Sequence, residues 1–169
     1  MTITQPELRA YLELLTTRCK AHYGEELASL VLYGSVVRGT FRPTSDLDLL
    51  VVLHCSPSSW GKQISEFLHA VLDHPEVETA ASGLKRKNLP WRVEPIILTE
   101  SELAARPPLL LDLTEDAVIL EDREGVFAQE IERVRKRLEE LGARRVWLPG
   151  DRWYWVLTPE IHPGEVITI

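Results

Sequence analysis

The stretch LVLYGSVVRGTFRPTSDLDLLVVL, residues 30–53, places two carboxylates at the start of an apolar run. The run from Leu47 to Leu53 is apolar at both alternating positions, which predicts a central strand covered on both sides of a sheet. Asp46 and Asp48 stand at its beginning, two residues apart, so we expect both side chains on one face of the strand. A buried strand that opens on two like charges needs a partner for that charge.

The repulsion between these two carboxylates is large enough to require a compensating charge or proton. At about 6.5 Å, the axial separation of residues i and i+2 in a strand, two unit charges repel by about 2.5 kcal/mol at an effective dielectric constant near 20. An Arg or Lys, a proton or a divalent metal could compensate it, and the sequence offers Arg38 and Arg42 nearby. Mg²⁺ takes oxygen ligands and is often held by carboxylates together with substrate phosphates.

A third carboxylate, Glu94, lies in WRVEPIIL, residues 91–98, a predicted third strand that Pro95 indicates to be an edge strand or a bulge. Three carboxylates from neighbouring strands could hold two metals about 4 Å apart, one activating an attacking hydroxyl and the other stabilising the leaving oxygen. In that arrangement Glu94 is our choice for the acceptor of the nucleophile's proton. Glu76 and Glu78 compete with Glu94 for the place of third acid.

Gly34 and Ser35 follow a predicted strand, Leu27 to Tyr33, and precede a predicted short helical turn over residues 35–39. Glycine allows a ligand to approach the backbone closely, and the first N–H groups of a helical turn attract phosphate. The Ser35 hydroxyl adds a donor, and Arg38 could reach the same anion with a bidentate fork. Arg38 and Arg42 could instead pair with Asp46 or with surface acids.

Residues 34–52, GSVVRGTFRPTSDLDLLVV, resemble the signature of the polymerase-β-like nucleotidyltransferase superfamily. That signature is Gly-Ser, a spacer of about ten residues and Asp-x-Asp before apolar residues, with a third acid on a later strand. The resemblance implies that Ser35 binds the triphosphate, that Asp46 and Asp48 bind metals and that Glu94 completes the site. The short chain is similar to the minimal, stand-alone members.

The remaining sequence predicts an α/β (α+β) fold, a mixed β-sheet with helices packed on it and a C-terminal β-hairpin. We expect a single nucleotidyltransferase-like domain over residues 1–169, with a core of about 25–122 and a C-terminal helix and hairpin over 125–169. The other predicted elements are a helix over Pro6–Tyr23 ended by Gly24, a helix from Ser58 or Ser59 to about Leu72, a basic loop over 82–90, a short helix over 107–113, a short strand over 118–120, a helix over 125–141 ended by Gly142 and a hairpin around Pro149-Gly150.

Composition narrows the class of protein. The 169 residues carry 19 Lys and Arg against 26 Asp and Glu, a net charge of −7, which argues against a protein that coats nucleic acid. No apolar run is long enough to predict a membrane span, and Cys19 and Cys55 form no metal-type spacing. We therefore expect a cytoplasmic protein, with a homo-oligomer left open.

The sequence thus predicts a Mg²⁺-dependent enzyme that moves a nucleoside monophosphate from an NTP to an acceptor hydroxyl of a protein, RNA or small molecule, with release of pyrophosphate. ATP is the expected NTP, and a two-metal Mg²⁺ site is expected, with Mn²⁺ as the alternative cofactor. The alternative is a nucleotide-binding or inactive interaction protein, such as an antitoxin-like partner of a HEPN-type ribonuclease. An antibiotic nucleotidyltransferase is less favoured, since those enzymes usually carry a second helical domain.

Overall fold

A computed structural model describes residues 3–55, 59–150, 152–159, 167 and 169. Its helices and strands follow one another in the order α1 (Pro6–Tyr23), β1 (Leu27–Tyr33), α2 (Ser35–Arg38), β2 (Leu47–Leu53), α3 (Trp60–Phe67, continued by a π-helical turn over Leu68–Leu72), α4 (Pro75–Arg86), β3 (Val93–Thr99), α5 (Glu100–Ala104), α6 (Leu109–Leu113), β4 (Ala117–Asp122), α7 (Val126–Leu141), β5 (Arg144–Leu148) and β6 (Arg152–Val156).

The main sheet contains four strands in the order β3-β2-β1-β4, and the hairpin β5-β6 forms a separate two-stranded sheet. β1 pairs antiparallel with β2 and with β4, whereas β2 pairs parallel with β3. The fold class predicted from the sequence, a mixed sheet with packed helices and a C-terminal hairpin, is confirmed. β2 lies in the interior of the sheet and β3 at its edge, as the apolar run of β2 and Pro95 in β3 indicated.

Apolar cores cover both faces of the sheet. On one face, α1, α3 and α4 pack on alternate residues of β1 and β2, including Leu30 and Leu49. On the other face, α5, α6 and α7 pack on the intervening residues, including Val31 and Leu50. This double covering explains why β2 is apolar at consecutive positions after Asp48. None of the described helices is long and apolar enough to span a membrane.

Most predicted boundaries agree with the structure. Gly24 and Gly142 end α1 and α7 with a positive φ. Ser59 occupies the N-cap position of α3 without a capping hydrogen bond from its side chain, and Ser58 lies outside the described residues. The third strand begins at Val93, two residues after its predicted start at Trp91.

The prediction of a basic loop over 82–90 was wrong for residues 82–86, which belong to α4, whereas residues 87–90 lie outside any helix or strand. Gly83 and the charges near it suggested a loop, but Pro75 stands in the first turn and the His74 side chain accepts a hydrogen bond from the Glu76 N–H. Val77 and Leu84 are buried and pack the helix against the core. Lys85 and Arg86 in the last turn stabilise the helix further, because cations interact favourably with the C-terminal end of the helix dipole.

Candidate functional site

Three polar side chains form a row across the sheet. Tyr33 of β1 is directly opposite Asp48 of β2, and Asp48 is directly opposite Glu94 of β3. Residues opposite one another in neighbouring strands project from the same face of the sheet. The structure therefore brings Glu94 beside Asp48, at the end of β2 where the Asp-x-Asp motif begins.

The two competitors of Glu94 lie on helix α4 and not on a strand beside Asp48. Glu76 and Glu78 are exposed in the first turn of α4. Glu76 lies 4.0 Å from Nδ1 of His74, and Glu78 lines the same groove as Glu94 without being its strand neighbour. The strand register therefore favours Glu94 as the acid that accompanies Asp48.

The turn after β1 packs tightly on Asp48. Gly34 has a φ of +80°, and a Cβ built on it would overlap Oδ2 of Asp48. Glycine is required here both by the backbone conformation and by the nearness of the carboxylate. Ser35 then opens α2, whose Arg38 N–H donates to the Gly34 carbonyl at 3.1 Å. The Gly-Ser turn and the Asp-x-Asp pair are thus adjoining parts of one region.

The charge of this region is poorly compensated in the protein alone. Burial, Asp46 and Glu94 together raise the pKa of Asp48 to about 6, against the opposing effect of Arg38. Burial, with smaller contributions from Asp48 and Glu94, also raises the pKa of Tyr33 to about 12. Negative charge therefore accumulates around Asp48, which is an environment that attracts a cation.

Asp46 has a partner that the sequence reasoning missed. Nε of Arg92 donates to Oδ1 of Asp46 at 2.7 Å, and Nη2 of Arg92 donates to the Thr44 carbonyl at 3.0 Å. The cations considered from the sequence, Arg38 and Arg42, form no ion pair with Asp46 among the described contacts. The available signal was the position of Arg92 two residues before Glu94, because the register of two parallel strands then brings it to Asp46.

These carboxylates do not form an assembled metal site. Among the residues that the structure describes, no group of three His, Cys, Asp or Glu side chains is close enough to hold a metal ion. Their chemistry nevertheless fits a hard divalent cation, because Asp46, Asp48 and Glu94 offer only carboxylate oxygens. The raised pKa of Asp48 also indicates a local excess of negative charge that such a cation would relieve.

Arg38 takes part in a cluster that the sequence did not reveal. Its Nη1 lies 3.2 Å from Oδ2 of Asp116, and its guanidinium lies 4.5 Å from the centre of the Trp153 ring. A cavity of about 170 Å³ adjoins the cluster, lined by Tyr33, Gly34, Arg38, Asp48, Leu109, Asp112, Leu113, Asp116 and Trp153. Ser35 is not among the described residues that line it.

Hydrogen bonds hold the C-terminal hairpin beside this cavity. The indole N–H groups of Trp153 and Trp155 both donate to Oδ1 of Asp112, at 2.7 and 2.9 Å. Nη1 of Arg145 lies 2.6 Å from Oδ2 of Asp116. No local pattern in the sequence could indicate these contacts, since each joins the hairpin to residues about 29 to 43 positions earlier.

A second and larger space opens beside Glu94. This groove of about 620 Å³ is lined by Tyr11, Leu72, Val77, Glu78, Ala81, Ser82, Lys85, Trp91, Arg92, Val93 and Glu94. Nζ of Lys85 lies 5.0 Å from the centre of the Trp91 ring. Trp91 therefore lines the same groove as Glu94, and Lys85 reaches it from α4.

Known proteins resemble this chain over most of its length. The family model for the nucleotidyltransferase domain matches residues 12–148. A candidate protein adenylyltransferase of Methanocaldococcus jannaschii is 26% identical over 136 residues, which cover 79% of this chain and 85% of that protein.

Two solved structures also resemble the chain. A crystal structure of a toxin–antitoxin with AMP-PNP is 14% identical, with 77% of this chain and 92% of that chain covered and a TM-score of 0.45. A candidate nucleotidyltransferase from Sulfolobus solfataricus is 20% identical, with 73% and 94% covered and a TM-score of 0.39. Neither TM-score is high enough to carry the assignment, which rests on the family match. The chain therefore belongs to the nucleotidyltransferase domain family and is a nucleotidyltransferase, as its Gly-Ser and Asp-x-Asp residues predicted.

Proposed function

We propose that this chain transfers a nucleoside monophosphate from a nucleoside triphosphate to an acceptor hydroxyl, with a divalent metal held by Asp46, Asp48 and Glu94. The observation that carries the proposal is the register of β2 and β3, which pairs Asp48 directly with Glu94. The close packing of Gly34 on Asp48 supports a phosphate position beside the same carboxylate. We also propose that residues 1–169 form one nucleotidyltransferase domain.

The bonds that change define the task of each residue. The acceptor oxygen bonds to the α-phosphorus, the bond from that phosphorus to the bridging oxygen breaks, and pyrophosphate leaves with the electron pair. Glu94 accepts the proton that the hydroxyl releases. Asp46 would hold the metal in place of its present contact with Arg92. Mg²⁺, or Mn²⁺ in its place, supplies charge neutralisation on the phosphates and a more acidic acceptor hydroxyl when it is bound.

The two spaces support one orientation of the substrates in this proposal. Gly34, Arg38 and Asp48 line the small cavity, and Glu94 lines the large groove. An in-line displacement requires the nucleophile and the leaving group on opposite sides of the phosphorus. With pyrophosphate toward Gly34 and Arg38, the acceptor enters through the groove beside Glu94, whose volume of about 620 Å³ is within the usual range of ligand sites.

ATP is the proposed nucleotide. The sequence resemblance favours it, and the curated relative is named for adenylyl transfer. Incubation with α-labelled ATP, Mg²⁺ and candidate protein, RNA and small-molecule acceptors is expected to transfer label. Asp48→Asn is expected to abolish transfer, while Glu139→Gln, an exposed carboxylate on α7, should leave it unchanged. Equal transfer by Asp48→Asn and by the wild type would contradict the site assignment.

An interaction protein is the second candidate, and exposed aromatic side chains of the hairpin favour it. Trp147 and Tyr154 are 52% and 49% exposed, and Leu148 is also exposed. Such side chains are enriched at protein interfaces. This candidate predicts a stable partner, for example a HEPN-type ribonuclease, that co-purifies equally with the wild type and with Asp46→Asn/Asp48→Asn. A partner lost with both carboxylates would instead indicate that binding depends on the reaction site.

A further inference from the structure

We propose that the C-terminal hairpin keeps a polyphosphate site open by holding Arg38 away from Asp48. This inference rests on the proposed function, in which the small cavity receives the pyrophosphate part of the nucleotide. Arg38 and Asp48 both line that cavity and carry opposite charges. Among the ion pairs of the described residues, none joins them, and Arg38 pairs with Asp116 instead.

Asp116 is the first restraint on Arg38. Its side chain is 9% exposed, and its Oδ2 accepts a hydrogen bond from Arg38 Nη1 at 3.2 Å. The attraction between this carboxylate and the guanidinium is little screened by water because both side chains are largely buried, so Asp116 holds Arg38 at its own part of the cavity wall. Without Asp116, the carboxylates that remain on the cavity wall for Arg38 to neutralise are Asp48 and Asp112.

Arg145 of β5 fixes Asp116 in turn. Its Nη1 donates to Oδ2 at 2.6 Å and its Nη2 donates to Oδ1 at 3.3 Å, so one guanidinium engages both carboxylate oxygens. Such a fork sets the plane of the carboxylate as well as its position. Burial opposes the charge of Arg145, but hydrogen bonds and charge from Asp116 raise its pKa overall. Arg145 is therefore a positioning residue that acts through Asp116.

Trp153 of β6 is the second restraint. The Arg38 guanidinium lies 4.5 Å from the Trp153 ring centre, a distance at which a cation and an aromatic face attract each other. The Trp153 indole is itself held by its hydrogen bond to Asp112. Stacking fixes the guanidinium at the cavity wall, with Nε buried and without a partner among the described residues. A preorganised cation of this kind gains affinity for an anion because little ordering remains to be done on binding.

The ligand class follows from these contacts. The cavity is lined by a fixed guanidinium, by the backbone of Gly34 and by the carboxylate of Asp48 beside it. A fixed guanidinium recognises a phosphate group, and a carboxylate beside it suits a phosphate that arrives with its own divalent cation. A metal-bound polyphosphate meets both conditions, whereas the volume of about 170 Å³ is below the usual range for sites that enclose a whole nucleotide-sized ligand.

The test measures binding of Mg²⁺-pyrophosphate and Mg²⁺-ATP to the full chain by calorimetry. Arg145→Ala and Asp116→Asn are each expected to weaken both ligands by roughly 10- to 100-fold, as for other groups that orient a binding side chain. Arg144→Ala, the exposed neighbour in β5, should bind as the wild type. Added to Arg38→Ala, neither substitution should weaken binding further, because each acts through Arg38.

Several outcomes would overturn the inference. Wild-type affinity in Arg145→Ala and Asp116→Asn, or losses that multiply with that of Arg38→Ala, would show that the hairpin does not act through Arg38. Asp116→Asn leaves the hairpin sequence intact, so it decides the question if Arg145→Ala fails to fold. A wild-type protein that binds neither ligand would refute the proposed function itself, and the inference with it.

Discussion

Gly34 approaches Asp48 so closely that a Cβ on Gly34 would overlap one carboxylate oxygen and lie 3.1 Å from Cγ. The Gly-Ser part of the sequence motif thus limits where the Asp-x-Asp part can place the carboxylate of Asp48. Comparing substitutions at Gly34 and at Gly24 separates the effect of this close packing from the requirement for a positive φ.

Gly34→Ala is expected to lower both stability and nucleotide binding. Alanine must adopt a φ near +80° and displace Asp48, and backbone strain alone is worth about 1–3 kcal/mol. Gly24→Ala is the matched control, because Gly24 also has a positive φ but a Cβ there meets nothing within 4 Å. Thermal unfolding and calorimetry with Mg²⁺-ATP would measure both effects.

The clash itself can be tested by removing its other partner. In an Asp48→Ala background, the cost of Gly34→Ala should fall toward the cost of Gly24→Ala, since the carboxylate is no longer present. An undiminished cost in that background would assign the whole effect to backbone strain.

The stability of the metal-free protein should fall as the pH rises through the titration of Asp48. Its native pKa of about 6 is above the ordinary 3.8, so the native state binds the proton more tightly than the unfolded state does. The destabilisation therefore develops between about pH 4 and 6 and is complete above about pH 6. Asp48→Asn has no such charge and should melt at a higher temperature than the wild type at pH 8.

Melting curves of both proteins with a chelator, from pH 4 to 8, would check this expectation. The difference in melting temperature should shrink as the pH falls toward 4, because protonation neutralises Asp48 in the wild type. Glu139→Gln should show no comparable trend. An Asp48→Asn protein that melts below the wild type at pH 8 would refute the argument.

Arg92 and a divalent cation should compete for Asp46. Arg92→Ala is expected to change the free energy of unfolding by less than about 1 kcal/mol, because both side chains of this ion pair are partly exposed to solvent. It should also tighten Mn²⁺ binding, which can be followed by the loss of the free-ion signal in electron paramagnetic resonance. Arg42→Ala removes another nearby charge without a described ion pair and serves as the control. Weaker Mn²⁺ binding in Arg92→Ala would mean that Arg92 orients Asp46 for the metal.

A bulky side chain in the large groove should block the acceptor and spare the nucleotide. Ser82 is exposed on the groove wall, so Ser82→Trp is expected to raise the KM for the acceptor or abolish transfer, with ATP affinity unchanged. Thr79→Trp adds the same side chain to α4 outside the described groove lining. Loss of ATP binding in Ser82→Trp would place the nucleotide, rather than the acceptor, in the groove.

Local patterns predicted the centre of the fold well. The apolar runs of β1 and β2, the short turn at Ser35 and the edge position of β3 each follow from residues within a few positions. Pro95 was informative because proline cannot donate within a ladder, which restricts it to an edge. The Gly-Ser and Asp-x-Asp residues meet because the intervening residues connect two adjacent antiparallel strands.

Contacts between distant segments could not be predicted from such patterns. Arg92 reaches Asp46 through the register of a parallel pair, and Asp116 meets Arg145 through the docking of the hairpin. Helix α4 was mistaken for a loop over 82–90 because its stability comes from buried contacts of Val77 and Leu84, whereas its exposed residues are charged. Tertiary packing outweighed local composition there.

Pro95 also affects how this sheet can associate with other chains. An unpaired edge strand offers its backbone N–H and C=O groups as a template to which a foreign strand can be added. β3 is such an edge, but Pro95 has no N–H to offer, and the charged Glu94 precedes it. Strand addition is therefore discouraged at the margin next to the carboxylates. A partner would meet these residues through its side chains, without extending the sheet over them.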